Sequence, residues 1–109
     1  MMKEKLESKK DEIRCCYKIT DTDVAVLLKM VEIEKPITSE ELADIFKLSK
    51  TTVENSLKKL IELGLVVRTK TEGKKIGRPK YYYSISSNIL EKIRNDLLNC
   101  AKRMELAAT

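Results

Sequence analysis

The chain of 109 residues carries a formal net charge of +5, three cysteines and no histidine. That length suits one domain with a modest core. No apolar run approaches the roughly 18 residues needed to span a bilayer, and the start, MMKEKLESKKDEIR, has neither an apolar stretch nor a small-residue cleavage site. The expectation is a cytoplasmic protein with no membrane partner.

The cysteines, Cys15, Cys16 and Cys100, are odd in number and two are adjacent. This is a poor disulfide framework, and they read as small apolar thiols packed between helices, with a redox-sensing role as the alternative. Without histidine or paired CxxC spacing, no zinc site is expected. There is no glycine-rich phosphate loop and no nucleophile beside an evident base, so neither catalysis nor a cofactor is expected. The charge is unevenly spread. Residues 1–46 have a net charge of −3, residues 47–80 of +7 and residues 81–109 of +1. A concentrated, internal and patterned basic third is the footprint of a polyanion binder.

Residues 3–17 read as a helix with Met2, Leu6, Ile13 and Cys16 on one apolar track, which Lys9 interrupts. Such a narrow seam needs a partner in the fold or in a second chain. Thr20 can cap a second helix, with Asp23 in a capping-box position, and Val24, Leu27, Leu28 and Val31 supply a broad core face. That helix should end near Glu34, because Pro36 disfavours helical geometry just before it. Pro36-Ile37-Thr38 is extended. Thr38 and Glu41 then form a Thr-x-x-Glu capping box for a short helix over about 39–46, whose buried face is Leu42, Ala43, Ile45 and Phe46.

Lys47-Leu48-Ser49 is a tight connection, with Leu48 expected to plug the core and Ser49 to cap the next helix. Two capped helices so joined, with the small Ala43 allowing a close crossing, make a helix-turn-helix. In the second, Val53, Leu57, Leu60 and Ile61 gather on one side. Thr51, Asn55 and Lys58 point the opposite way, flanked by Thr52 and Lys59. Gly64 should end this helix in a left-handed cap. Two strands follow, from about Leu65 to Lys70 and from Lys80 to Ile85, joined by the basic turn TEGKKIGRP. In the last helix, Leu90, Ile93, Leu97, Cys100, Met104 and Ala107 step by three and four. Packing on its own domain and a dimer seam both suit that track. A small core with little room for two terminal seams favours the dimer, with Leu6, Ile13, Leu90, Ile93, Leu97, Cys100 and Met104 at the interface.

The fold class expected is mainly α with a small β-hairpin. It comprises an N-terminal helix (1–19), a helix-turn-helix core with hairpin (20–86) and a C-terminal dimerisation helix (87–109), all in one domain. The segment PITSEELADIFKLSKTTVENSLKKLIELGLVVR, followed by GRPKYYYSI, resembles winged helix-turn-helix transcription regulators of the TrmB and MarR type. The resemblance covers roughly residues 20–86. It implies that residues 50–63 form a recognition helix in the major groove of double-stranded DNA, and that the hairpin 65–85 is the wing. An exposed Asn55 can bond adenine in two places, and Thr51 or Thr52 can meet a thymine methyl or a phosphate. Lys58 and Lys59 are expected to grip phosphate, and Ser49, Lys50 and the helix N-terminus to bind another.

Along the wing, over 70–80, Lys70, Lys74, Lys75, Arg78 and Lys80 add contacts. Gly77-Arg78-Pro79 suits either a narrow minor groove or the backbone alone. The sequence lacks the Asp-x-Arg wing element usual in MarR-type proteins, and the separate effector domain common in TrmB-type regulators is not expected here, which puts a ligand-sensing function in question. The competing function is a winged helix serving as a protein-interaction module within transcription machinery. A docking helix of that kind should expose apolar anchors over residues 50–59, and this one exposes polar and cationic side chains.

Overall fold

The computed structural model describes residues 6–71 and 80–108. Its elements are α1 (Lys10–Tyr17), α2 (Asp21–Ile33), α3 (Ser39–Phe46), α4 (Lys50–Glu62), β1 (Val66–Thr71), β2 (Lys80–Ile85) and α5 (Ile89–Ala108). The mainly helical class with one hairpin is as expected. The first helix is interrupted within the described residues. Ser8 and Lys9 form a turn, with the Lys9 N–H donating to the Leu6 carbonyl at 3.0 Å, and helix resumes at Lys10. The break falls where Lys9 interrupts the apolar track.

Both capping boxes form. The Thr20 hydroxyl accepts from the Asp23 N–H while the Asp23 carboxylate accepts from the Thr20 N–H, and Thr38 and Glu41 repeat the exchange at α3. Each satisfies two N–H groups that a helix start leaves unpaired. Helix α2 runs through the centre, with Val24, Val26 and Leu27 fully buried, and α4 packs Val53, Leu57 and Leu60 against it. On α3, Leu42 and Ala43 are buried, but Ile45 is 44% exposed, because it falls outside the arc of the helix that carries Ser39, Leu42, Ala43 and Phe46. Leu48 does not plug the core. Left-handed Lys47 (φ 56°) turns the chain there, and Leu48 is 37% exposed.

The end of α4 is a Schellman motif around Gly64 (φ 79°). The Gly64 N–H donates to Ile61 and the Leu65 N–H to Leu60, both at 2.9 Å, and Leu60 and Leu65 are themselves buried. The hairpin is antiparallel and pairs Val66 with Ile85, Arg68 with Tyr83 and Lys70 with Tyr81. Ile37 adds a bridge at its edge, exchanging backbone hydrogen bonds with Tyr83 at 2.9 and 2.8 Å. The extended piece before α3 thereby ties it to the hairpin.

The terminal helices pack on each other. Ile13 and Ile93 are buried between them, and the Tyr17 hydroxyl donates to the Asp96 carboxylate. Burial, reinforced by that carboxylate, raises the Tyr17 pKa far above the usual phenol range. The cysteines depart from expectation. Cys16 and Cys100 form a disulfide across α1 and α5, with their Cα atoms 5.9 Å apart, and only Cys15 is a free thiol. The bond closes a loop of 84 residues, and a loop that long lowers the entropy of the unfolded chain substantially. Cys100→Ser should therefore lower unfolding free energy by about 2–4 kcal/mol. Urea titrations of the oxidised protein, the variant and the dithiol-reduced protein check this; the last two should share a midpoint below the first.

Candidate nucleic-acid interface

Helix α4 is presented by its connections. Ser49 caps it, its Oγ accepting from the Thr52 N–H at 3.1 Å. The two hydroxyls of Ser49 and Thr52 also lie 2.8 Å apart, so the Thr52 hydroxyl is already engaged. Thr51, Asn55 and Lys58 stand exposed on the outer face and carry no hydrogen bond or ion pair among the described residues. They are the side chains free to meet a ligand. Lys50 is exposed too, but its Nζ lies 4.0 Å from the carboxylates of both Glu40 and Glu54.

Lys59 is placed otherwise than expected. Its Nζ lies 3.3 Å from the carboxylate of Asp23, a residue only 2% exposed. Ser56, also buried, donates its hydroxyl to the other Asp23 oxygen. One carboxylate at the start of α2 thus holds two side chains of α4. Burial alone would raise the Asp23 pKa, but hydrogen bonds from Ser56, Thr20 and Lys59 outweigh it and hold the carboxyl below its ordinary value.

On the hairpin, Lys70 is exposed on β1 and Lys80 opens β2. Lys74, Lys75 and Arg78, and with them Gly77-Arg78-Pro79, lie outside the described residues. Arg68 adds a cation not singled out from the sequence. Its guanidinium lies over the Tyr81 ring, 4.6 Å from the centroid, in a cation–π contact. Tyr83 beneath is buried; burial and the nearby Glu54 carboxylate raise its pKa, and Arg68 opposes them. Glu54 of α4 and Arg68 of β1 therefore both approach Tyr83, where the hairpin meets α4. The signal for Arg68 was available in its place within the basic third. That for Asp23 and Ser56 was not, because each suits its own helix without the other.

Of the residues expected at a dimer seam, Leu6, Ile13, Ile93 and Cys100 are buried within the single chain, Cys100 in its disulfide. Leu90 and Leu97 are half-buried, and Met104 is 51% exposed. Leu98, not on the expected track, is 57% exposed beside them. An open groove of about 730 Å³ runs between α1 and α5 and is lined by Leu90, Leu97, Leu98 and Met104 among others. Among the described residues, no helix is long and apolar enough to cross a membrane.

A capped helix, a left-handed turn, a second capped helix with a polar outer face, and a basic hairpin docked beside it define a winged helix-turn-helix of the kind transcription regulators use. The model of one family, the sugar-specific transcriptional regulator TrmB, matches residues 13–88. The chain belongs to the TrmB family of transcriptional regulators. It is similar to the crystal structure of the ST1889 protein of the thermoacidophilic archaeon Sulfolobus tokodaii, at 92% identity and a TM-score of 0.88, covering 96% of this chain and 99% of that one. It is also similar to a structure from Methanosarcina mazei Go1 described as a possible transcriptional regulator, at 27% identity and a TM-score of 0.76, covering 90% and 83%. A point mutant of MepR from a multidrug resistant clinical isolate of S. aureus shares the fold at 15% identity and a TM-score of 0.61, covering 96% and 73%. No curated protein matches.

Asp23 generates a prediction in acid. Its folded pKa is depressed, so its contribution is complete above the unfolded value of about 3.9 and is lost as pH falls toward the folded value. Asp23→Asn removes that titration. The stability gap between wild type and variant, measured by urea unfolding, should be widest near neutrality and narrow below about pH 4. A gap that stays constant across the acid range would show that Asp23 does not carry the linkage.

Proposed function

We propose that the protein binds double-stranded DNA with sequence preference and regulates transcription as a homodimer. Helix α4 lies in the major groove, and the hairpin follows the backbone or the adjacent minor groove. The observation that carries the reading is the unpartnered outer face of Thr51, Asn55 and Lys58 on a helix locked at its cap, its buried side and its end. The family match supports it, since residues 13–88 run from within α1 through the hairpin. Asn55 reads a base, Thr51 meets a base methyl or a phosphate, and Lys58 takes a phosphate. Ser49 and Thr52 shape the helix start, whose free N–H groups suit another phosphate. Arg68 and Lys70, with Lys74, Lys75, Arg78 and Lys80 beyond them, supply the wing contacts.

A second copy seats on the α1–α5 groove. Leu98 and Met104 are more than half exposed on a helix whose other large apolar side chains are buried or half-buried among the described residues, and covering them removes that exposed apolar surface from water. Two α4 helices then meet successive major grooves about 34 Å apart, which calls for a pseudo-palindromic site.

Selection of bound sequences from a random duplex pool tests binding, symmetry and spacing together. Enrichment of an inverted repeat with half-sites one helical turn apart is expected. A pool that remains random would remove the sequence-specific reading. Within an enriched site, Asn55→Ala should cost about 1–3 kcal/mol and relax preference at one base pair per half-site. Weaker affinity with unchanged base preference would show that Asn55 does not read sequence.

The dimer has its own test. Leu98→Glu places a carboxylate on the proposed seam but outside the folded core, so the monomer should stay folded while the sedimenting mass falls by half. An unchanged dimer mass would move the interface elsewhere.

A further inference from the structure

On the DNA-binding reading above, the lysines of α4 are not equivalent. Ser56 and Lys59 lie three residues apart, on one side of the helix, and both are tied to the carboxylate of Asp23. Two ties to one buried group prevent α4 from rolling about its axis. Asn55 and Lys58 each precede a tied residue and stand about 100° around the helix from it, so the roll that Asp23 fixes is what aims them outward. Lys59 has no comparable freedom. Its side chain is 51% exposed, but moving its ammonium to a phosphate would strip the cation from a carboxylate whose own side chain is 3% exposed, leaving that charge to the Ser56 hydroxyl and the Thr20 N–H. A phosphate at that point would also face the Asp23 charge.

We infer that Asp23 is a specificity-determining positioning residue. It withholds Lys59 from the DNA backbone and, through Ser56 and Lys59 together, sets the angle at which Asn55 meets the bases. Lys58, which has no acidic partner among the described residues, is the α4 lysine that neutralises phosphate.

Salt titrations of duplex binding by fluorescence anisotropy, between 50 and 200 mM, separate these roles. Each phosphate that a variant no longer neutralises should lower the slope of log affinity against log salt by about 0.9 per subunit, or about 3.5-fold in affinity across that range. Lys58→Ala should show that decrease, and Lys59→Ala should keep the wild-type slope. Asp23→Asn should raise the slope on random duplex by about 0.9 per subunit as Lys59 is released, and lower the ratio of selected-site to random affinity. If Asp23→Asn does not fold, the two lysine variants decide alone. A Lys59→Ala decrease equal to that of Lys58→Ala overturns the assignment, as does a folded Asp23→Asn protein with wild-type slope and ratio. Wild-type binding that ignores salt overturns the DNA reading, and this inference with it.

Discussion

One buried carboxylate sets the arrangement of the helix-turn-helix. Asp23 accepts from the Thr20 N–H at the start of its own helix and from Ser56 and Lys59 of another. Its charge suits the positive end of the α2 dipole, so the same group serves a local and a tertiary purpose. Helix α4 is then held at three points along its length. Ser49 closes its start, Asp23 grips its inner side, and the Schellman turn at Gly64 closes its end. A helix held in this way presents its outer face as a fixed pattern, which direct readout of base edges requires.

The terminal helices extend that frame. The disulfide joins α1 to α5, and the next residue, Tyr17, bonds to Asp96. Asp96 in turn pairs with Lys92 at 3.2 Å. The stem of Lys92 lies over Gly64, where an added Cβ would stand 3.1 Å from its Cε. A continuous chain of contacts therefore runs from the Cys16–Cys100 bond to the end of α4. Glycine at position 64 answers two demands at once, a left-handed backbone and the close passage of a lysine from another helix. An α5 held by a covalent bond and by this chain is a stiff arm, and a partner seated on it would inherit a defined distance to α4.

Much of this architecture was legible along the chain, because its signals are local. Capping boxes at Thr20 and Thr38, the Ser49 cap, the stop at Gly64 and the strand of three tyrosines each act within a few residues, and each forms as read. The errors arose where a side chain's fate depends on a distant element. Ile45 and Leu48 are apolar, but the short α3 and the left-handed Lys47 turn them outward. The cysteine count argued against a disulfide, yet Cys16 and Cys100 both lie on apolar tracks of helices that pack together, and neither count nor spacing records that pairing. Lys59 looked like its neighbour Lys58. Only the position of Asp23, 36 residues away, separates them.

That separation changes the meaning of the basic third of the chain. Its net charge of +7 suggests a helix and a wing that both attract polyanions, but the two are not built alike. On α4, Lys59 answers Asp23, and Lys50 lies within reach of Glu40 and Glu54, so the helix offers hydroxyls, an amide and little uncompensated charge. The hairpin carries Arg68 and Lys70 in its first strand and, by sequence, four more cations from Lys74 to Lys80 with one acid, Glu72, against them. Nonspecific attraction scales with uncompensated charge, whereas base preference depends on hydrogen-bonding groups held at fixed angles. Pairing Lys50 and Lys59 with acids leaves Lys58 as the one α4 lysine without an acidic partner among the described residues, so the helix itself would add little register-independent attraction. On the proposed DNA-binding reading, that division assigns affinity mainly to the wing and discrimination to the helix, and the acids around α4 are what keep the two apart.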